Sequence, residues 1–581
     1  MNIQKNHILV LVPPALILIF GGLWVNMPSD PSPPEFDGTP IVQIIGDSHT
    51  TAKPQLDTEG LDSLDGVSAT FLTFYHQDTG TQSQYVEGAQ YKDINIMYQA
   101  LSAKTLGKPH TTIKVDFLYS SSLIPKKPTT RDVGLYGLKF GHKNNKTYVT
   151  GNHLLDWNAV SSKKKLKLNR ISNKMKEFYT IDKDTRELIK SDTTPRKWLA
   201  QTSYLYENGK VKPLYRGHRV YDKLSKDAIA QAIAWSESYI LNAVQVNGKL
   251  NYQYSPHSDK LAKKYNILRH AGTLYSMLEL QKYKPSPELW QASKSVLAYL
   301  RTRLKPCPPE NPNQLCIIER GHTKIGGLGL TLLAYSYYLD IEKNESLMAE
   351  GRKIAARIMS MMKPSGEFRN HKETYPGGQD TGFISGYYPG EAIYGLASFF
   401  RHTKNEALLT VAEKASLWIA TVRDKEKDDD DLAHDHWLLY GMNELNKYRQ
   451  NKDLMNHTIR LLEAILADQK FQLPYQDWQG GFRRNPTSAS TATTTEGMLA
   501  GYETVVRNNL DLSQNKLARA IKNAIRVQLA AQLTPERVLF VANPKKSLGG
   551  FGETAATNRV RIDFVQHNLS ALIRALPLFE N

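Results

Sequence analysis

The sequence predicts a chain of several parts: an N-terminal membrane anchor, a β-rich α+β domain, and a C-terminal all-α domain in which six helical hairpins close into a double ring. Three observations carry this. An uncharged apolar stretch runs from Ile8 to Val25. Short apolar or alternating runs separated by turn residues dominate residues 41–219. From Ser225 onward an amphipathic helix and a more apolar helix alternate with a period of about 60 residues, which is a repeat signature.

The apolar stretch ILVLVPPALILIFGGLWV follows Lys5 and has the length of a bilayer span, about 17–25 residues. Residues 1–27 read as a membrane anchor or signal segment. No clear small-x-small cleavage site follows, which favours an uncleaved anchor with its N-terminus in the cytoplasm. Residues 28–40 read as a Pro-rich linker. The two cysteines of the chain, Cys307 and Cys316, stand in CPPENPNQLC. Their closeness predicts a disulfide, and their spacing matches no zinc pattern. A disulfide needs an oxidising compartment, so the expected location is membrane-anchored, facing the periplasm or cell exterior.

In the α+β domain, SATFLTFYH from Ser68, TIKVDFLY from Thr112, GLYGLKF from Gly134 and KWLAQTSYLY from Lys197 read as strands. A helix is expected over 93–103. The basic run SSKKKLKLNR from Ser161 reads as a solvated loop. Gly46-Asp47-Ser48, expected to follow a strand, is similar to the nucleophile block of SGNH-type esterases. The α/β pattern that should come after it is missing. No catalytic constellation stands out here; under a non-catalytic reading of the chain, this domain would contact an envelope protein partner.

The amphipathic helices are expected near 228–244, 288–304, 346–362, 406–422, 453–468 and 514–533. The apolar helices begin near Ile267, Gly327, Pro389, Leu432, Thr491 and Asp563. A helix apolar on all sides belongs inside other helices, so these form the inner ring of residues 225–581. This order, with turns such as Gly480-Gly481-Phe482 and Gly549-Gly550-Phe551, resembles the (α/α)6 toroids. These include six-hairpin glycosidases, polysaccharide lyases, the helical domain of glucuronyl C5-epimerases and terpenoid cyclases. The resemblance implies a central funnel at one mouth of the ring. No family motif matches residue by residue, so it assigns no catalytic residue. The run Asp428 to Asp431 reads as an N-cap and acidic turn.

The loops entering the inner helices are polar. Their arginines include Arg269, Arg369, Arg483, Arg559 and Arg561, and guanidinium forks suit carboxylates. Tyr254, Trp437 and Trp478 supply aromatic faces for sugar rings. Carboxylates near helix starts are Asp259, Glu391, Asp435, Glu496 and Asp563, of which Glu391, Asp435 and Asp563 are the leading catalytic candidates. Proton abstraction from a uronate asks instead for a base such as His or Tyr. His270 and Tyr388 lead that set, with His436 and His567 behind them. The pair Asp563 and His567 share one helix face. No metal site and no cofactor is expected.

With 74 Lys and Arg against 57 Asp and Glu, the net charge is +17, a field that favours anionic partners. No RNA-binding signature or long basic block is present, so nucleic acid is not an expected partner. The leading expectation is an enzyme on an acidic, uronate-type polysaccharide acting by hydrolysis, β-elimination or C5-epimerisation. The alternatives are a non-catalytic glycan-binding or assembly component of an envelope or exopolysaccharide system, and a terpenoid-cyclase-like toroid.

Overall fold

The structure is a computed structural model and describes residues 37–57, 64–76, 78–125, 128–142, 145–221 and 223–579. The expected anchor and most of the linker lie outside these residues. Among the described residues, no helix is long and apolar enough to cross a membrane.

The first described helix, α1 (Thr39–Thr50), carries Pro40 in its opening turn, where a missing N–H costs nothing. Ile41, Val42 and Ile45 form its buried stripe. The Asp47-Ser48-His49 run is therefore the last turn of a helix and does not follow a strand as expected. Its Ser48 is 4% exposed, which removes the esterase likeness. The sheet consists of β1 (Val67–His76), β2 (Gly80–Glu87), β3 (Thr112–Tyr119), β4 (Tyr136–His142), β5 (Asn145–Val149), β6 (Arg196–Glu207), β7 (Lys210–Tyr215) and β8 (His218–Arg219). It is antiparallel, in the order β2-β1-β3-β6-β4-β5, and β7 and β8 continue from the far half of β6. Period-2 alternation splits its strands between two cores. Leu72 and Phe74 of β1 face the core under α1 and α2 (Tyr91–Ser102), while Ala69 and Phe71 face the other side. There α3 (Gly151–Asp156), α4 (Leu168–Tyr179) and α5 (Lys183–Lys190) cover the sheet.

Twelve further helices follow among the described residues. The outer ones are α6 (Lys226–Ala243), α8 (Pro287–Arg301), α10 (Glu345–Ser360), α12 (Glu406–Trp418), α14 (Lys452–Asp468) and α16 (Gln514–Ala530). The inner ones are α7 (Ile267–Tyr283), α9 (Ile325–Leu339), α11 (Tyr388–Thr403), α13 (His436–Asn446), α15 (Ser488–Asn508) and α17 (Ile562–Ala575). Each inner helix packs on the next and α17 packs back on α7, so the ring is a closed (α/α)6 toroid. Side-chain caps fix many starts, among them Ser225, Asn266, Asn344, Asn451 and Thr487. The fourth inner helix starts at His436, later than the expected Leu432, because Asp435 is its cap. The Asp429–Asp431 segment is an exposed 3₁₀ turn and caps nothing. Cys307 and Cys316 form the disulfide.

Two contacts set the ring. At the α9–α11 crossing, a Cβ on Gly395 would lie 2.4 Å from the Gly329 carbonyl oxygen, so only glycine permits this approach. At the closing helix, Arg574 reaches every other inner helix. Its Nε donates to Glu279 at 2.9 Å, and its Nη2 donates to the hydroxyls of Tyr275, Tyr337 and Tyr394 at 3.0, 3.1 and 3.3 Å. It lies 4.5 Å over the Tyr440 ring and 3.6 Å from Glu503.

Gly395→Ala is expected to lower unfolding stability by about 1–3 kcal/mol through overpacking. Gly386→Ala, in open space, should be close to neutral in the same urea titration. Equal effects would remove the close-approach explanation. Arg574→Met should cost about 3–5 kcal/mol by leaving Glu279 buried without its partner. Arg574→Lys should recover only part of this, since an ammonium has no planar fork.

Candidate active site

The mouth of the toroid holds a cavity of about 550 Å³. In ring order α7 stands opposite α13, and α11 stands opposite α17. The cavity gathers side chains from all four. Arg269 comes from α7, Tyr388 and Glu391 from α11, His436 and Trp437 from α13, and Asp563 and His567 from α17. Arg483 lines it from the fifth loop. Asp563 and His567 thus face the cavity together, as their helical spacing allows.

The α17 wall is a hydrogen-bonded dyad. His567 Nδ1 lies 2.7 Å from Glu496 Oε2, and Tyr440 donates to the other carboxylate oxygen at 3.4 Å. Glu496 is fully buried in α15. Burial raises its carboxyl, and the adjoining His567 opposes that rise. Facing the dyad, the His436 ring stands 5.1 Å away and near perpendicular at 82°. Both His436 ring nitrogens lack a hydrogen-bond partner although the residue is 3% exposed. Burial, with His567 adding to it, drives the His436 pKa far down, so the imidazole is neutral.

The opposite wall carries the opposite kind of group. Glu391 is 3% exposed and its Oε2 has no partner. Burial first, then repulsion from Asp435, pushes its carboxyl well above the ordinary range, while Lys324 and Arg269 oppose this. Its surroundings thus favour the protonated form of Glu391 over the carboxylate. Beside it, burial and Glu391 raise the Tyr388 hydroxyl to about 12. Arg269 lines the cavity from α7, with Nε 3.2 Å from Asp563 and Nη1 donating to Tyr252.

Several expected site residues lie elsewhere, each for a visible reason. His270 points from α7 into the outer layer, bonding Tyr265 at 2.6 Å and the Val296 carbonyl at 2.9 Å. Burial lowers its pKa to about 4, and it is a structural link. Asp435 is spent on capping α13, accepting from Leu438 N at 3.2 Å, and does not line the cavity. Tyr254 is buried and donates to Asp259 at 2.8 Å. Trp478 packs on Tyr475 and near Arg216 at the seam with the sheet domain. Arg369 is exposed after α10, outside the cavity lining. Arg559 pairs with Glu553 and lines a different cavity. Arg561 is consumed by Asp563, at 2.5 and 2.8 Å. His434, Asp435 and His436 do not converge: His434 faces Asp468 while His436 faces His567.

The expectation of no metal site did not foresee one trio. His436, Glu496 and His567 bring three donor atoms within 4.8 Å of one another. Two imidazoles and a carboxylate are a zinc-type donor set. Two ligands of a tetrahedral ion stand about 3.3 Å apart at bonds of about 2.0–2.1 Å. The 2.7 Å between His567 and Glu496 is a hydrogen-bond distance instead. These residues would hold a cation only after drawing apart.

No protein-family model and no curated protein matches the chain. Among solved structures, the GH76A α-1,6-mannanase of Salegentibacter sp. HEL1_6 is 11% identical, with a TM-score of 0.44 over 61% of this chain and 100% of that one. A D-mannose isomerase is 12% identical, with a TM-score of 0.45 over 61% and 98%. The cellobiose 2-epimerase of Bacillus thermoamylovorans B4167 is 9% identical, with a TM-score of 0.47 over 60% and 98%. No residue role passes from them to this chain.

Asp435 gives a pH test of this region. Burial raises its carboxyl from the ordinary 3.8 to about 7, against the pull of Arg423. Between those values the folded state keeps a proton that the unfolded chain has released, so stability falls as pH rises through the window. Asp435→Asn keeps a capping oxygen and removes the charge. Its melting temperature should exceed the parent's at pH 7.5 and converge with it near pH 4. The same margin at both pH values would contradict the assignment.

Proposed function

We propose that the chain is a carbohydrate-active enzyme acting on an acidic, uronate-type polysaccharide, and that its funnel moves a proton at C5 of a uronate residue. The observation that carries this is the pair of opposite walls. A Glu496-backed His567 stands on α17, and on α11 stands Glu391, buried with an unpartnered carboxylate oxygen and biased toward its protonated form. Proton abstraction beside a carboxylate needs a base on one face and charge stabilisation at the carboxylate. His567, with Nδ1 held by Glu496, offers Nε2 as that base. Arg269 Nη2, without a hydrogen-bond partner among the described residues, is the group for the sugar carboxylate. Return of a proton from Glu391 on the far face inverts C5. Loss of the C4 substituent after the first step gives β-elimination instead. His436 and Trp437 supply a neutral imidazole and an aromatic face for the ring.

Hydrolysis is less well served. It asks for a second carboxylate free to attack or to activate water, and Asp563 is engaged by Arg561 and Arg269. The polar walls also argue against a terpenoid substrate. The buried disulfide supports an extracytoplasmic setting, and an N-terminal anchor would hold the protein at the membrane.

The test is incubation of the full chain with polyuronates in D₂O, following deuterium at C5 by NMR and unsaturated ends by ultraviolet absorbance. Exchange is expected, and His567→Gln should reduce it by about 10²–10⁴-fold. Glu496→Gln should reduce it less. New reducing ends without exchange or unsaturation would assign hydrolysis. Binding without turnover would assign a non-catalytic glycan component. Exchange should survive chelation; loss with EDTA and recovery with zinc would assign the His436–Glu496–His567 trio to a metal.

A further inference from the structure

A second cavity, of about 620 Å³, opens at the seam between the sheet domain and the toroid mouth. Asn158 and Lys167 line it from the sheet domain, His257 from the first mouth loop, and Glu553 and Arg559 from the sixth. The basic run SSKKKLKLNR therefore does more than coat the surface. Its exposed lysines at 163–165 precede Lys167 and Arg170, which fold back against the seam. Lys167 Nζ donates to the Asn158 carbonyl at 2.8 Å, and Arg170 Nη1 donates to the Trp157 and Asn158 carbonyls at 3.2 Å each. Among the described residues neither pairs with a carboxylate. Their field acts on the cavity: after burial, Arg170 and Lys167 depress His257, and Arg170 depresses Lys167. Glu553 does not cancel this charge, because it is held by Arg559. Two uncompensated cations beside a cavity of sugar-residue size are a site for an anion.

The seam continues into the funnel. Gln253 lines the seam cavity and pairs with Arg561 across a short antiparallel ladder. Arg559 and Arg561 flank Val560, which is fully buried. Arg561 holds Asp563, which lines the funnel with Arg269. The carboxylate-paired Arg561 and Arg559 thus lie between the funnel and the seam cavity, where Lys167 and Arg170 carry no such partner among the described residues.

We propose that the seam cavity is a second carbohydrate subsite, which binds a carboxylate-bearing sugar of the same polymer at a distance from the reacting residue. This rests on the acidic-glycan reading of the funnel. It gives the sheet domain a part in substrate binding and makes affinity depend on chain length.

The test measures calorimetric binding of digalacturonate and hexagalacturonate to the full chain, to Lys167→Ala/Arg170→Ala and to Arg269→Ala. The seam double variant is expected to weaken hexamer binding at least tenfold, to flatten its salt dependence, and to leave dimer binding unchanged. Lys167→Gln/Arg170→Gln, with a melting curve overlaying the parent's, should behave the same way and excludes misfolding. Unchanged hexamer binding in both seam variants overturns the subsite. If Arg269→Ala then loses both ligands, the funnel reading still stands. If Arg269→Ala keeps dimer binding while the seam variants lose the hexamer, the subsite stands and the funnel reading fails. A parent chain that binds neither oligomer overturns both.

Discussion

Arg574 is the contact on which the toroid depends. One guanidinium on the closing helix α17 touches residues of all five other inner helices. A buried ion is tolerable only when every donor finds a partner. Here Glu279, three tyrosine hydroxyls and an aromatic face do this, and Ser570 donates to the second Glu279 oxygen at 2.6 Å. Moving any one inner helix outward would leave part of this cluster unpaired in an apolar interior. The ring is thereby held to one diameter, and the diameter sets how far apart the funnel walls stand.

The same cluster conditions the chemistry above it. Tyr440, whose ring lies under Arg574, also donates to Glu496, and Glu496 holds His567. A column of polar contacts therefore runs from the base of the ring to the catalytic candidate. Glu391 has no such column. It and Glu496 are almost equally buried, at 3% and 0% exposed, yet their neighbours differ. Glu496 meets an imidazole, which favours its ionised form. Glu391 meets the field of Asp435, which favours its proton. Burial raises both carboxyls, and the neighbours then act in opposite directions: His567 draws Glu496 back down while Asp435 pushes Glu391 further up.

The ring itself was readable in the sequence, because inner helices such as α9 are apolar around their whole circumference and an amphipathic and an apolar helix alternate six times along the chain. The pairing of Asp563 with His567 on one helix face was readable for the same reason. The dyad of His567 with Glu496 was not. Its members are 71 positions apart, and no local pattern reports which way a mid-helix glutamate points. His270 misled because a histidine at a helix start says nothing about which layer it faces. Asp435 misled because a residue ideal for capping also looks like an acid poised at the mouth. Arginine abundance overstated the free cations: Arg559 and Arg561 are already matched to carboxylates six and two residues away.

The fifth-loop Trp478 was read as a sugar contact, yet it and its neighbour Asp477 face the other domain, and this shows how the two halves depend on each other. Asp477 sits 2.5 Å from Arg216 and 2.8 Å from His218, and Glu536 sits 2.8 Å from Arg219. Asp477 and Glu536 are nearly inaccessible to solvent. Burial alone would make both acids reject their charge, but the arginines hold each carboxyl down at about 2. Separating the domains would return Arg216, Arg219, Asp477 and Glu536 to water, while exposing the apolar faces of Tyr475 and Trp478 that pack against Leu135 and Tyr136. A mouth loop so fixed from outside the ring does not need its own secondary structure to keep its shape. The sheet domain is thus part of the mouth, and the position of the fifth and sixth loops around the funnel is a property of the whole chain.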